Sequence, residues 1–119
     1  MSNPNATQPN SNQMSDQAYV YILASGFKHL YIGVTSNLDH RITQHKDGTH
    51  KNSFTDRYNI KHLVYFERFH HITSAIAREK QLKRWSRIKK LRLIIAENPD
   101  WRDLSEDWGK PIPSYTQPK

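Results

Sequence analysis

A single carboxylate, that of Glu79, lies on the otherwise apolar side of a predicted helix. On a helix from Ile72 to Ser86, at about 100° per residue, the apolar arc contains Ile72, Ala75, Ile76, Glu79 and Leu82, and the opposite side contains Ala77, Lys80, Gln81 and Arg84. Burying a carboxylate without a partner costs several kcal/mol or forces it to become neutral. Two partners are compatible with the sequence: an ion pair with Lys83, one turn further along the helix, or a metal ion at the base of a cleft.

Four other polar residues carry groups that could do chemistry. Tyr21 and Tyr31 fall within predicted strands, Arg41 follows Tyr31 by ten residues, and His45 follows Arg41 by four. The four-residue separation places Arg41 and His45 on one face of a helix. Taken singly, a strand tyrosine is usually half-buried packing, and an exposed Arg–His pair is usually solvated. The four residues become informative only when they are considered together.

Three strands are predicted from runs of β-branched and aromatic residues. The runs are Ala18–Leu23, Leu30–Val34 and Leu63–Phe69. Because only a short segment links the first two, we expect them to form a hairpin.

Three helical patterns accompany these strands. Asn37 caps the first, which begins at Leu38 and ends at Asp47-Gly48. A longer pattern begins at Ile72, breaks or bends near Trp85-Ser86 and ends before Asn98-Pro99. The predicted order is therefore β-β-α-β-α-α, an α/β (α+β) domain.

The net charge of +7, from 18 Lys and Arg against 11 Asp and Glu, is concentrated in one part of the 119-residue chain. Residues 18–92 hold 15 basic and five acidic residues, a net charge of +10, whereas residues 93–119 hold three basic and five acidic residues. Such an excess favours a polyanionic partner, and nucleic acid is the first candidate. The expected phosphate-facing surface comprises Lys80, Lys83, Arg84, Arg87, Lys89 and Lys90; the alternative is a solvated helix face.

Composition predicts one folded domain, residues 18–108, between polar ends. Met1–Gln17 is rich in Asn, Gln, Ser and Pro, so we expect a disordered leader, and residues 109–119, with three Pro, are expected to form an irregular tail. The absence of Cys excludes disulfides and metal sites built on thiolates. No run reaches the roughly 18 apolar residues of a membrane span, and we expect a cytoplasmic protein.

The motifs Tyr19-Val20-Tyr21 and Tyr31-Ile32-Gly33 resemble the signature of the GIY-YIG nuclease superfamily. Arg41 and His45 stand where that family's helix carries its arginine and histidine, and Glu79 stands where its metal-binding glutamate is found. The resemblance covers residues 18–101 and is closest to the short stand-alone bacterial members with a URI-type domain. It implies a small three-stranded antiparallel sheet flanked by helices, and endonuclease activity on DNA in repair or recombination.

The sequence departs from the family pattern at two positions. Tyr19 replaces the glycine of the first motif, and Val34 stands where nucleases of the excision-repair type carry a lysine, a role that His45 can cover. For the family's late asparagine, Asn98 is the nearby candidate. Tyr58 is a second accessory candidate.

The resemblance also implies a chemical role for each residue. Glu79 binds one Mg²⁺ or Mn²⁺, Arg41 contacts the phosphate through its fork of donors, and Tyr31 acts as general base, assisted by Tyr21 and His45. Because a phenol is a poor base at neutral pH, this role requires the metal and Arg41 to favour the phenolate. Residues 18–92 contain only five carboxylates, so a single-metal site is predicted.

A second function remains open on the sequence alone, that of a non-catalytic nucleic-acid-binding module with the same fold. RNA is an alternative partner to DNA, and no pattern specifies an oligomeric state.

Overall fold

The computed structural model describes residues 17–48 and 53–108. The expected tail, residues 109–119, lies outside this range, as does the expected leader except for Gln17. Within the described ranges, no helix has the length and apolar character that crossing a membrane requires.

Three strands form one antiparallel sheet with β1 in the centre, in the order β2-β1-β3. Their bounds are Ala18–Ala24 for β1, Leu30–Thr35 for β2 and His62–Phe69 for β3. The turn between β1 and β2 is closed by the Ser25 hydroxyl, which accepts backbone hydrogen bonds from Phe27 at 3.2 Å and His29 at 3.0 Å. The predicted hairpin and the three-stranded antiparallel sheet are confirmed.

Helices precede and follow β3. Their bounds are Leu38–Asp47 for α1, Phe54–Arg57 for α2, Ile72–Arg84 for α3 and Arg87–Glu97 for α4. Asn37 caps α1 by accepting the backbone N–H of His40 at 3.1 Å, and Gly48 ends it in the left-handed conformation with φ 67°. The predicted break between α3 and α4 is confirmed, because Ser86 caps a new helix there. The one-turn helix α2 is an addition to the predicted order.

The two faces of the sheet carry separate cores. Helices α3 and α4 cover one face, where Val20, Ile22, Ile32, Leu82 and Ile94 are buried together. Helix α1 covers the other face through Leu38 and Ile42, which pack with Tyr21, Leu23 and Leu63. The apolar arc of α3 is shorter than predicted, because Ile72 is 44% exposed in the first turn and burial begins at Ala75.

Candidate active site

The sheet brings Tyr21 and Tyr31 to the face covered by α1. In the β1–β2 register Tyr21 is opposite Gly33, and Tyr31 is opposite Leu23, so both tyrosines point to the same side. Their ring centroids are 6.2 Å apart. The Tyr21 ring lies directly over Gly33, where a Cβ atom would come within 2.5 Å of Tyr21 Cζ and of its hydroxyl oxygen. The glycine of the second motif therefore provides the space for the tyrosine of the first.

Helix α1 places Arg41 and His45 beside these rings. The His45 Nε2 atom is 3.1 Å from the Tyr21 hydroxyl, and the His45 ring centroid is 5.5 Å from that of Tyr31. Arg41 lies close enough to the Tyr21 hydroxyl for its charge to lower the pKa of that group in part. Burial of Leu38 and Ile42 fixes the helix in this orientation, since Ile42 lies between Arg41 and His45 in sequence and points into the core. Four of the five predicted catalytic residues therefore lie together.

The two tyrosines differ in their surroundings. Tyr21 is fully buried, whereas Tyr31 is partly exposed. Burial raises the pKa of Tyr21 well above its usual range, and the neighbouring Tyr31 raises it further, while Arg41 opposes the shift only in part. Tyr21 therefore keeps its proton at neutral pH and acts as a hydrogen-bond donor.

Thr55 joins this cluster and has no counterpart among the predicted residues. Its Oγ1 atom is 3.1 Å from His45 Nδ1, on the side of the imidazole away from Tyr21. Thr55 belongs to α2, which Ser53 caps by accepting the backbone N–H of Asp56 at 3.2 Å. The pattern Ser53-x-x-Asp56 is a helix-start signal, and it is the feature from which α2 could have been predicted.

Glu79 lies on α3, the helix that packs on the opposite face of the sheet. Its side chain is 15% exposed, and its Oε2 atom is 3.1 Å from Lys83 Nζ. The ion pair, one of the two partnerships compatible with the sequence, is therefore present. Lys83 in turn lines a groove along the edge strand β2 with Tyr31 and Lys90.

Glu79 has the chemistry of a ligand for a divalent metal ion that is held by few protein groups. No group of three or more His, Asp or Glu side chains that could hold a metal occurs among residues 17–48 and 53–108. Mg²⁺ commonly keeps several waters and uses only one or two carboxylates together with substrate phosphates. Glu79, partly exposed and on the helix that packs against β2, can be such a carboxylate.

The basic segment, residues 78–92, contains side chains that make structural contacts and side chains that are exposed. Arg78, the first basic residue of this segment, forms an ion pair with Glu67 at 2.9 Å and stacks over Trp85. The Lys89 ammonium lies 4.3 Å from the centroid of the Trp85 ring, and Arg87 donates to the Lys28 carbonyl at 2.8 Å. All six residues predicted to face phosphate, Lys80, Lys83, Arg84, Arg87, Lys89 and Lys90, are at least partly exposed.

The accessory candidates occupy different surroundings. Tyr58 is 46% exposed and packs against His29, with ring centroids 5.2 Å apart, next to the hairpin turn. Asn98 is buried at the end of α4, where its amide donates to the carbonyls of Val64 at 3.1 Å and Arg102 at 2.9 Å. Its oxygen accepts the Arg102 backbone N–H at 3.1 Å. These bonds give Asn98 a structural role in joining the C-terminal segment to β3.

Comparison with known proteins bears directly on this arrangement. Residues 17–92 match the family model for the GIY-YIG catalytic domain. A UPF0213 protein of Syntrophus aciditrophicus (strain SB) is 37% identical over 82 residues, which cover 69% of this chain and 93% of the relative. A UPF0213 protein of Clostridium perfringens is 40% identical over 80 residues, 67% of this chain and 85% of the relative.

One solved structure is also similar, the solution NMR structure of a UPF0213 protein from Bacillus halodurans. It is 27% identical, with a TM-score of 0.49, and the match covers 78% of this chain and 97% of that one. The family model and the relatives confirm the resemblance to the GIY-YIG nuclease superfamily. The chain therefore belongs to the GIY-YIG family, among the UPF0213 proteins.

Proposed function

We propose that this protein is a metal-dependent endonuclease that hydrolyses phosphodiester bonds in DNA with one bound Mg²⁺ or Mn²⁺. The observation that carries the proposal is the cluster on one face of the sheet, where the Tyr21 hydroxyl meets His45 at 3.1 Å beside Tyr31 and Arg41. The match to a nuclease family supports it. Buried hydroxyl and imidazole groups at hydrogen-bonding distance, next to an arginine, are suited to proton transfer at a phosphate.

The difference between the surroundings of the two tyrosines supports Tyr31 as the general base. Because burial raises the pKa of Tyr21, this residue retains its proton and cannot accept one from water. Tyr31 is partly exposed and borders the groove along β2, where water and substrate have access. Tyr31 therefore removes the proton from the attacking water, and Tyr21 supports it as a buried donor.

Arg41 and Glu79 have complementary roles toward the phosphate. The planar guanidinium of Arg41 binds two phosphate oxygens and stabilises the negative charge that develops during hydrolysis. Glu79 would hold the metal ion, which when bound supplies Lewis-acid stabilisation of the phosphate oxygens. The exposed basic residues of α3 and α4 bind the neighbouring phosphates, and Lys83 and Lys90 lie in the same groove as Tyr31.

The test is cleavage of plasmid, branched and single-stranded DNA, and of RNA, in the presence of Mg²⁺. Tyr31→Phe, Arg41→Ala and Glu79→Gln are each expected to lower the cleavage rate by about 100-fold or more while the protein stays folded. Glu106→Gln is a matched control, because Glu106 also forms an i,i+4 ion pair, with Arg102 at 3.4 Å, but on an exposed surface. We expect this control to cleave at the wild-type rate.

A non-catalytic DNA-binding module is the second candidate, and the ion pair between Glu79 and Lys83 is the observation that favours it. In such a module Glu79→Gln releases Lys83 and tightens DNA binding. A wild-type protein that binds DNA but cuts none of the substrates, or three variants that cut as fast as the wild type, would refute the proposed nuclease.

A further inference from the structure

His45 is held through both nitrogens of its imidazole ring. Its Nε2 atom is 3.1 Å from the Tyr21 hydroxyl on β1, and its Nδ1 atom is 3.1 Å from Thr55 Oγ1 on α2. In a neutral imidazole one nitrogen donates a hydrogen bond and the other accepts one. The partner at Nδ1 therefore decides whether Nε2 donates to Tyr21 or accepts from it.

Thr55 is itself fixed by several contacts. It is 5% exposed, and its carbonyl accepts the backbone N–H of Ile60 at 2.8 Å. Its Oγ1 atom is 3.3 Å from the hydroxyl of Ser53, the residue that caps α2. A threonine hydroxyl can accept from His45 and donate to Ser53 at the same time. The side chain is thus held in place to meet His45 rather than solvent.

The surroundings of Tyr21 favour one direction for these hydrogen bonds. Tyr21 is fully buried and keeps its proton, which it must donate to a neighbour. Arg41 has only donor groups and cannot accept the Tyr21 proton, and an imidazole nitrogen accepts a hydrogen bond more strongly than a phenol hydroxyl such as that of Tyr31. The Tyr21 proton then points to His45 Nε2, and the imidazole proton resides on Nδ1.

We propose that Thr55 is a positioning residue that holds the imidazole proton of His45 on Nδ1, so that Nε2 accepts the hydroxyl proton of Tyr21. The consequence for catalysis rests on the proposed nuclease function. A proton can pass from Tyr31 to the Tyr21 oxygen while Tyr21 passes its own to His45 Nε2. This transfer leaves Tyr31 as a phenolate, Tyr21 neutral and His45 as an imidazolium.

Other charged and titratable groups surround His45 from each element packed against it. They are Tyr21 from β1, Tyr31 from β2, Arg41 from α1 and Asp56 from α2, the last lining the same small cavity as His45 and Thr55. Asp56 lies 4.0 Å from Lys61. Because these groups also affect the protonation of His45, the test reads the position of the proton on the ring directly.

Nitrogen-15 NMR of labelled histidine distinguishes the two tautomers without any assay of activity. The chain has seven histidines, and a His45→Gln variant assigns the signal of interest. We expect the wild type and Thr55→Ser to carry the proton on Nδ1, and the near-isosteric Thr55→Val to move it to Nε2. Thr73→Val, at an exposed threonine on α3, is the control and should leave the spectrum unchanged. A wild-type protein with the proton on Nε2, or a Thr55→Val variant with no change, would overturn the proposal.

Cleavage kinetics form the second arm of the test. Thr55→Val is expected to lower kcat by about tenfold or more with little change in KM for DNA, and Thr55→Ser should restore it. The folded state of each variant is checked by thermal unfolding. If the NMR result holds but no DNA is cut, the proposed function fails and the positioning role of Thr55 stands. If DNA is cut and the wild-type proton lies on Nε2, only the role of Thr55 is refuted.

Discussion

Substitution of Gly33 by alanine tests whether the close approach of the two strand motifs builds the site. The Cβ atom of the new residue would lie 2.5 Å from Cζ and from the hydroxyl oxygen of Tyr21, and 3.0 Å from Cε2. Ordinary contact begins near 3.4 Å, so the ring must move by about 0.9 Å. Tyr21 is fully buried beneath Leu38 and Ile42 of α1, and a movement away from Gly33 presses against that helix.

The expected cost follows from overpacking of a filled core. Added groups of this size destabilise a protein by about 1–3 kcal/mol, which lowers the melting temperature of a domain of this size by at least about 4 °C. A shift of about 0.9 Å also displaces the Tyr21 hydroxyl from the position in which it meets His45 at 3.1 Å, and so disturbs the geometry of that contact. Gly33→Ala should therefore lose both stability and cleavage activity.

A second substitution makes the prediction specific to the Tyr21 ring. In a Tyr21→Leu background the clashing atoms are gone, and alanine is then expected to stabilise the strand by about 0.5 kcal/mol, because glycine is unfavourable in a strand interior. Tyr21→Phe keeps Cζ, so it should not relieve the clash. The quantity to be measured is the change in the free energy of unfolding that Gly33→Ala causes, obtained by denaturant unfolding in a double-mutant cycle. We expect this change to have opposite signs in the Tyr21 and Tyr21→Leu backgrounds.

Gly26→Ala is the matched control, because a Cβ at Gly26 has no atom within 4 Å. We expect this variant to unfold at the wild-type temperature and to retain activity. Two results would refute this reasoning: a Gly33→Ala variant as stable as Gly26→Ala, or an equal loss of stability from Gly33→Ala in the Tyr21→Leu background. Either result would show that the packing of Tyr21 does not explain the glycine at position 33.

Three further predictions concern the surroundings of the site. Burial raises the pKa of Glu67, but hydrogen bonds and the charge of Arg78 outweigh it, so the net pKa is lowered. The ion pair therefore stabilises the fold above the unfolded pKa and is lost as pH falls from about 5, and Glu67→Gln should flatten this acid dependence in pH-resolved thermal unfolding. Asn98→Ala leaves buried carbonyls without donors and is expected to cost about 1–3 kcal/mol in denaturant unfolding, without changing the cleavage rate per folded molecule. Replacing exposed Lys80 and Arg84 by glutamine should weaken DNA binding and reduce the slope of log K against log salt concentration by up to about 1.8, and an unchanged slope would place the phosphate contacts elsewhere.

Much of the fold could be predicted because its signals are local. The strands contain β-branched and aromatic residues, and Asn37 and Gly48 mark the ends of α1 by their side-chain and backbone chemistry. The break between α3 and α4 is likewise local, since the Ser86 hydroxyl accepts the backbone N–H of Lys89. Each of these features depends on residues within four positions of one another.

The remaining features depend on contacts between distant parts of the chain. Glu67 and Arg78 pair across a strand and a helix, and nothing in the basic segment distinguishes Arg78 from its neighbours. Thr55 reaches His45 because α2, a single helical turn, lies beside the end of α1. Four residues are too few to give a helical repeat of apolar positions, so neither the turn nor its contact could be inferred from periodicity.

The proposed chemistry requires residues from opposite faces of the sheet to act on one phosphate. The tyrosines lie beneath α1, whereas Glu79 lies on α3, which packs on the other face of the sheet. If β2 were a central strand, its neighbouring strands would separate these two groups of residues. Because β2 is an edge strand, however, α3 and α4 can extend side chains along its free side, where Lys83 and Lys90 meet Tyr31 in one groove. A phosphate bound there would contact Tyr31 and also Lys83, the ion-pair partner of Glu79. The edge position of β2, which follows from the hairpin and the placement of β3, is thus the feature of the fold on which the proposed chemistry depends.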